Sequence, residues 1–87
     1  MTKETMLTIL KDVFQPTVID VVDESHFHAG HNEDAKKGGT HFKVTIVSEL
    51  FEGKRLVERH RMIYEALKKE EYHALAIHAK TQTEYSA

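Results

Sequence analysis

The segment from Val47 to Leu67 constrains the fold more than any other part of this 87-residue chain. An apolar strand end runs into Ser48, a residue type that caps helix N-termini well, and Gly53 is placed to break the short helix that follows. After the glycine, apolar side chains recur at helical spacing. The pattern therefore predicts a strand, a short helix, a turn and a longer amphipathic helix, in that order.

A helical wheel of the longer helix gathers most of its apolar side chains on one face. That face carries Leu56, His60, Ile63 and Leu67, with Val57 and Tyr64 at its margin. The opposite side carries Glu58, Arg61, Met62 and Glu65. We therefore expect His60 to be a buried structural histidine, and Arg59 and Arg61 to remain available to solvent or a partner.

Composition predicts a single small domain over residues 1–87 and excludes several kinds of function. Hydrophobic residues make up 40% of the chain and no cysteine is present, so we expect a folded protein with neither a disulfide framework nor a thiolate metal site of its own. Ser25 and Ser48 lack the sequence context of catalytic nucleophiles, so no enzyme is expected.

Charge and hydropathy narrow the expected partners. No apolar run is long enough to span a membrane and no leader sequence is visible, so the cytoplasm is the expected location. The formal net charge is −2, so binding to nucleic acid would need a local basic face.

The rest of the chain alternates between helical and strand patterns. Residues 2–14 predict a helix that Thr2 caps and Pro16 ends. The predicted strands cover residues 18–23, 41–47 and 73–79, with a long polar loop over 24–40 and a short frayed tail over 81–87. The resulting order is αββααβ, a three-stranded sheet with helices packed on one face, which belongs to the α+β class.

The segment Phe51–Tyr64 resembles the signature segment of the BolA family, because a phenylalanine, a glycine and an Arg-His-Arg triplet ahead of an aromatic residue fall at the family's spacing. Further landmarks occur in the same order as in the family: Val21–Ser25, His28-Ala29, Thr40–Val44, Val47-Ser48 and His73–Leu75. The resemblance covers nearly the whole chain and implies a class II KH-like αββααβ fold, the order that the periodicity gives independently.

The resemblance also implies a function. Members of the family bind monothiol glutaredoxins and share a glutathione-dependent [2Fe-2S] cluster with them, and some regulate transcription. The family pattern has a ligand in the loop three residues after the serine of Asp-Glu-Ser, here His28, and a second candidate at the histidine of His-Ala-Leu, here His73. Since the loop after Ser25 is longer than the family pattern, His31 is a substitute for His28. Imidazole nitrogens suit iron and replace cysteines in some [2Fe-2S] centres.

Three alternatives remain open at this stage. His26 and His31 are interpreted first as solvated loop histidines, and a zinc site built from His26, His28, His31 and His41 is a weaker hypothesis. The runner-up function is DNA binding by the helix-turn-helix-like segment around Gly53, for which the candidate cations are Lys54, Arg55, Arg59 and Arg61. Self-association is left open.

Overall fold

The computed structural model describes residues 2–28, 38–68 and 74–87, and only the backbone at positions 27 and 28. Its helices and strands are α1 (Lys3–Phe14), β1 (Val18–Asp23), β2 (His41–Val47), α2 (Leu56–Leu67), β3 (Ala74–Lys80) and α3 (Gln82–Ser86). Short 3₁₀ turns cover Ser25–His28 and Glu49–Phe51. The α+β class and the αββααβ order are confirmed, with Glu49–Phe51 as the short helix, and a C-terminal helix is added.

Local chemistry explains the boundaries of the early elements. The Thr5 N–H donates to Oγ1 of Thr2 at 3.1 Å, which caps α1 as predicted. At the other end Gln15 takes a left-handed conformation (φ 49°) directly before Pro16, so the helix cannot continue. Gly53 has φ 72°, which explains why a glycine separates the short turn from α2.

The described residues form a three-stranded sheet in the order β1-β2-β3. β1 and β2 are antiparallel, with Val21 opposite Val44, and β2 and β3 are parallel, with Val44 opposite Ile77. Parallel neighbours need a crossover connection, and the segment containing α2 supplies it. Phe42, Val44 and Ile46 of β2 enter the core, because successive side chains in a strand point to opposite faces.

The core lies between this face of the sheet and the helices. Its buried members are Met6, Leu10, Phe14, Val21, Phe42, Val44, Ile46, Phe51, Ile63, Leu67 and Ala79. Phe14 and Phe51 stack with their ring centroids 5.2 Å apart, which joins the end of α1 to the short turn. No helix within residues 2–28, 38–68 and 74–87 is long and apolar enough to cross a membrane.

The predicted buried face of α2 is wrong at its N-terminal end. Leu56 is 64% exposed and His60 is only half-buried, whereas Met62, expected outside, packs against the core. The helix instead buries Arg59 together with Ile63 and Leu67. This orientation places the Arg59 guanidinium against hydrogen-bond acceptors.

The tail over residues 81–87 is not frayed. It forms α3, whose first turn is a reciprocal capping box: the Glu84 N–H donates to Oγ1 of Thr81 at 3.2 Å, and the Thr81 N–H donates to Oε1 of Glu84 at 2.8 Å. Thr81 is buried. The long loop also differs from the prediction, because its first residues form the turn Ser25–His28.

Candidate functional site

The described residues next to the two ligand candidates lie at the same end of the sheet. The turn Ser25–His28 follows the end of β1, and β3 begins at Ala74, the residue after His73. In the strand register Asp23 lies opposite Phe42, and Phe42 lies opposite Leu75. The last residues of β1 and the first residues of β2 and β3 therefore share one end of the sheet.

His31, His73 and the side chain of His28 lie outside the described residues, so their predicted roles as ligands stay predictions. The four-histidine zinc hypothesis includes His28 and His31 and stays a prediction for the same reason. Among the residues that the structure does describe, no group of three or more histidine, aspartate or glutamate side chains is arranged to hold a metal ion.

The base of the histidine loop is closed by a hydrogen-bond cluster that we call the loop latch, formed by Asp23, Ser25, Gly39, Thr40 and His41. The Asp23 carboxylate accepts hydrogen bonds from the N–H groups of Ser25 and Gly39, both at 2.9 Å, and from the Ser25 hydroxyl at 2.5 Å. The buried Ser25 oxygen in turn accepts from the N–H groups of Thr40 at 3.0 Å and His41 at 3.1 Å. The latch thus joins residues on both sides of the loop.

The hydrogen bonds of the latch favour the charged form of its carboxylate. Burial alone would raise the pKa of Asp23, but the hydrogen bonds from the Ser25 hydroxyl and from the Gly39 and Ser25 N–H groups outweigh it and lower the pKa below its ordinary value. Gly38 approaches the same carboxylate with φ 78°, and a Cβ there would lie 3.2 Å from Asp23 Oδ2. A glycine at position 38 therefore allows both the turn and the close approach.

His26, which interacts electrostatically with Asp23, and His41 lie beside or in the latch, whereas His60 and His78 do not. His26 is exposed, and Nδ1 of His41 lies 2.7 Å from the Thr40 hydroxyl oxygen. His78 is exposed, because it points away from the face that carries Ile77. His60 lines a groove beside β3 and is not the buried core histidine that the sequence predicted.

A second polar cluster, the Arg59 clasp, holds the C-terminal helix at the opposite end of β3. Arg59 is 5% exposed, and its guanidinium donates from Nη1 and Nη2 to the two carboxylate oxygens of Glu84, at 2.6 and 3.2 Å. Nε donates to the Lys54 carbonyl at 2.9 Å, and Nη1 also donates to the Ala79 carbonyl at 3.0 Å. Hydrogen bonds from Arg59, followed by the one from the Thr81 N–H, lower the pKa of Glu84 to about 2.

The Arg59 clasp corrects the prediction that Arg59 is a cation available to DNA. Arg59 donates its hydrogen bonds to groups within the protein, whereas Lys54, Arg55 and Arg61 are exposed. Sequence reasoning missed Glu84 because it lay in the supposed tail. The pattern Thr81-x-x-Glu84, which is typical of a capping box, is the sequence signal that could have identified this helix.

The chain is similar to known proteins over most of its length. The family model described as BolA-like protein matches residues 10–84. The DNA-binding transcriptional regulator BolA of Escherichia coli is 43% identical over 88 residues, which cover 98% of this chain and 80% of that protein. The SufE-like protein 1 of Arabidopsis thaliana, named as chloroplastic/mitochondrial, is 44% identical over 82 residues, but the chain spans only 22% of its length.

Solved structures of similar proteins have the same fold. The BolA domain of SufE1 from Arabidopsis thaliana matches with a TM-score of 0.83 and 40% identity, covering 97% of this chain and 98% of that one. The solution structure of BolA1 from Mus musculus matches with a TM-score of 0.80 and 34% identity, covering 97% of this chain and 68% of that one. The chain therefore belongs to the BolA family.

Proposed function

We propose that this protein is the partner of a monothiol glutaredoxin and supplies His28 and His73 as ligands to a shared, glutathione-dependent [2Fe-2S] cluster. The observation that carries the proposal is the position of Thr40. Its N–H donates to the Ser25 hydroxyl oxygen at 3.0 Å, and its carbonyl accepts from the Ala74 N–H at 3.1 Å. One residue thus bridges the turn that ends at position 28 and the strand that begins after position 73.

The composition fits a shared centre better than a self-sufficient one. Without cysteine, the chain has no thiolate for iron, and the thiols of the glutaredoxin and of glutathione supply the sulfur ligands. Two imidazoles on one iron raise the reduction potential of such a cluster relative to four thiolates. Neutral imidazole is the ligating form, so acid releases the cluster from this side.

In this arrangement the loop latch restricts the position of the residues just before His28. A ligand on a long loop is effective only where neighbouring residues restrict its position. Ser25 is three residues before His28, and its hydroxyl contacts the Asp23 carboxylate and the start of β2 together. The protein's role then lies in iron–sulfur assembly, cluster trafficking or regulation by iron and redox state, without catalysis of its own.

Cluster reconstitution with histidine variants tests the proposal. The protein is mixed with a monothiol glutaredoxin, glutathione, iron and sulfide, and the visible absorption and circular dichroism spectra of the complex are recorded. We expect His28→Ala and His73→Ala to change the spectrum, and His26→Ala and His78→Ala, which replace exposed histidines, to leave it unchanged. His31→Ala tests the substitute ligand in the loop. Spectra that none of these substitutions changes would remove the proposed ligand set.

DNA binding is the second candidate, and it is favoured by the exposed cations Lys54, Arg55 and Arg61 beside the Gly53 turn. The Escherichia coli relative is named as a DNA-binding transcriptional regulator. Since Arg59 forms an ion pair with Glu84, this surface has one available cation fewer than the sequence predicted. Gel-shift titration at about 150 mM salt separates specific binding from weak ionic contact, because phosphate contacts weaken steeply with salt.

The relatives of this protein come from different cellular settings. Relatives include a bacterial protein and one named for chloroplasts and mitochondria. The cytoplasmic location expected from the sequence therefore stays a prediction.

A further inference from the structure

Strand β3 lies at one edge of the described sheet, and its hydrogen bonds show which of its main-chain groups face β2. The Ala74 N–H donates to the Thr40 carbonyl, and the Lys80 carbonyl accepts from the Ser48 N–H, both at 3.1 Å. Because main-chain groups alternate in direction along a strand, the even-numbered residues of β3 pair with β2.

The odd-numbered residues of β3, Leu75, Ile77 and Ala79, therefore turn their N–H and C=O groups away from β2. At Ala79 the carbonyl is occupied by the Arg59 guanidinium at 3.0 Å. In the described part of the chain, no hydrogen bond reaches the outward groups of Leu75 and Ile77. Such an edge is a template for pairing with a further strand.

An apolar groove of about 370 Å³ runs beside this edge, and we call it the edge groove. It is lined by Leu56, His60, Ile77, His78, Ala79, Lys80 and Glu84. Four of these residues are consecutive in β3, and consecutive side chains point to opposite faces, so the wall of the groove is the edge of the strand and not one of its faces. Leu56, at the start of α2, is 64% exposed there.

The edge groove has one cation in its lining and two more at the nearby start of α2, where Glu58 accepts a hydrogen bond from the Arg55 N–H. Lys80 lines it and is exposed. Lys54 and Arg55 are exposed at the start of α2, and Arg59 binds both the Lys54 carbonyl and the end of β3, which keeps these parts adjacent. The negative charge of Glu84 is already paired with Arg59. These rim cations favour a negatively charged ligand.

We propose that the edge groove binds an extended, acidic segment of a partner protein, which pairs with β3 as a fourth strand. A peptide offers both N–H and C=O groups at strand spacing to Leu75 and Ile77, whereas a phosphodiester backbone offers acceptors only. An apolar side chain of the segment packs against Leu56 and Ile77, and its carboxylates meet Lys54 and Lys80. Arg59 ends the pairing at Ala79. This inference stands independently of the cluster proposal.

The probe is a short, end-blocked peptide in which valine alternates with glutamate, titrated into the 87-residue chain and followed by amide-resolved NMR. We expect shifts at Leu75, Ile77 and Ala79, and amide exchange at Leu75 and Ile77 slowed roughly tenfold or more by the new hydrogen bonds. Two matched controls carry N-methyl groups on the valines only or on the glutamates only, because each form blocks donation from a different edge of the peptide, and only one of the two should lose its binding.

Charge reversal adds an independent test. Lys80→Glu should weaken peptide binding by about tenfold, because one of the cations of the rim becomes an anion. Lys43→Glu makes the same change at an exposed position of β2, away from the groove, and should leave the affinity unchanged. A failure of the peptide to bind, equal binding of both N-methylated forms, equal effects of the two charge reversals, or binding of a single-stranded oligonucleotide in place of the peptide would overturn the proposal.

Discussion

The loop latch and the Arg59 clasp lie at opposite ends of the sheet and use a carboxylate in different ways. Asp23 receives hydrogen bonds from neutral donors, the Ser25 hydroxyl and two N–H groups. Glu84 is held by the buried guanidinium of Arg59, in addition to its capping bond to Thr81. The pKa is lowered in both carboxylates. The clasp attaches a helix to the framework, whereas the latch positions the base of the loop that carries the candidate ligand His28.

The largest loss of stability is expected at the clasp. Arg59→Ala should lower the free energy of unfolding by about 2–4 kcal/mol, because the Lys54 and Ala79 carbonyls lose a charged donor and the buried side chain leaves a void. Urea denaturation measures the loss. Arg61→Ala removes an exposed arginine from the same helix and should change stability by less than about 0.5 kcal/mol. Equal losses in the two variants would mean that the buried guanidinium contributes nothing particular.

A smaller but more local effect is expected at the latch. Ser25→Ala should cost about 1–3 kcal/mol, since the Thr40 and His41 N–H groups lose their acceptor. Amide exchange at Gly39 and Thr40 should accelerate more than exchange at core residues of β2. Ser86→Ala, at an exposed position of α3, is the control. If exchange rises uniformly over the chain, the serine stabilises the fold without positioning the loop.

The pH dependence is the smallest effect and distinguishes the two carboxylates. A carboxylate whose pKa is lower in the folded state stabilises the fold above its unfolded pKa, and this contribution is lost as the pH falls through the folded pKa. For Glu84 the window runs from its ordinary value of 4.5 down to about 2. Glu84→Gln should therefore reduce stability at neutral pH and flatten the acid limb of the stability curve.

Asp23→Asn should likewise flatten the acid limb, below the ordinary value of 3.8, and it should also accelerate exchange at Gly39, which donates to Asp23. Glu84→Gln should leave exchange at Gly39 unchanged, because the clasp lies at the other end of β3. Chemical denaturation between about pH 2 and pH 7, together with amide exchange, checks both. Acid limbs identical to that of the unsubstituted chain would contradict the assigned pKa shifts.

The framework was predictable from the sequence because its elements follow local rules. The alternation over residues 18–23 and 41–47 gave both strands with their observed bounds, and Pro16 correctly marked the end of α1. These signals depend on neighbours in the sequence, so they can be interpreted without knowing the tertiary structure.

The clasp was not predictable from the helical wheel. A wheel places arginine outside, but a guanidinium is buried when carbonyls and a carboxylate accept its hydrogen bonds. Its partner Glu84 is 25 residues away, in the segment predicted to be frayed. The latch was missed for a related reason, because Ser25 meets Thr40 and His41 across the long loop. His28 and His73 were chosen by family resemblance, and their role as ligands stays a prediction.

Ligation by His28 and His73 is tested most directly by pulsed EPR of the reduced, shared cluster, with histidine labelled with nitrogen-15 in this chain only. We expect couplings from labelled nitrogen in the complex, reduced in His28→Ala and in His73→Ala and retained in His26→Ala. A cluster that forms with the glutaredoxin but carries no coupling to labelled nitrogen would contradict the proposed ligation.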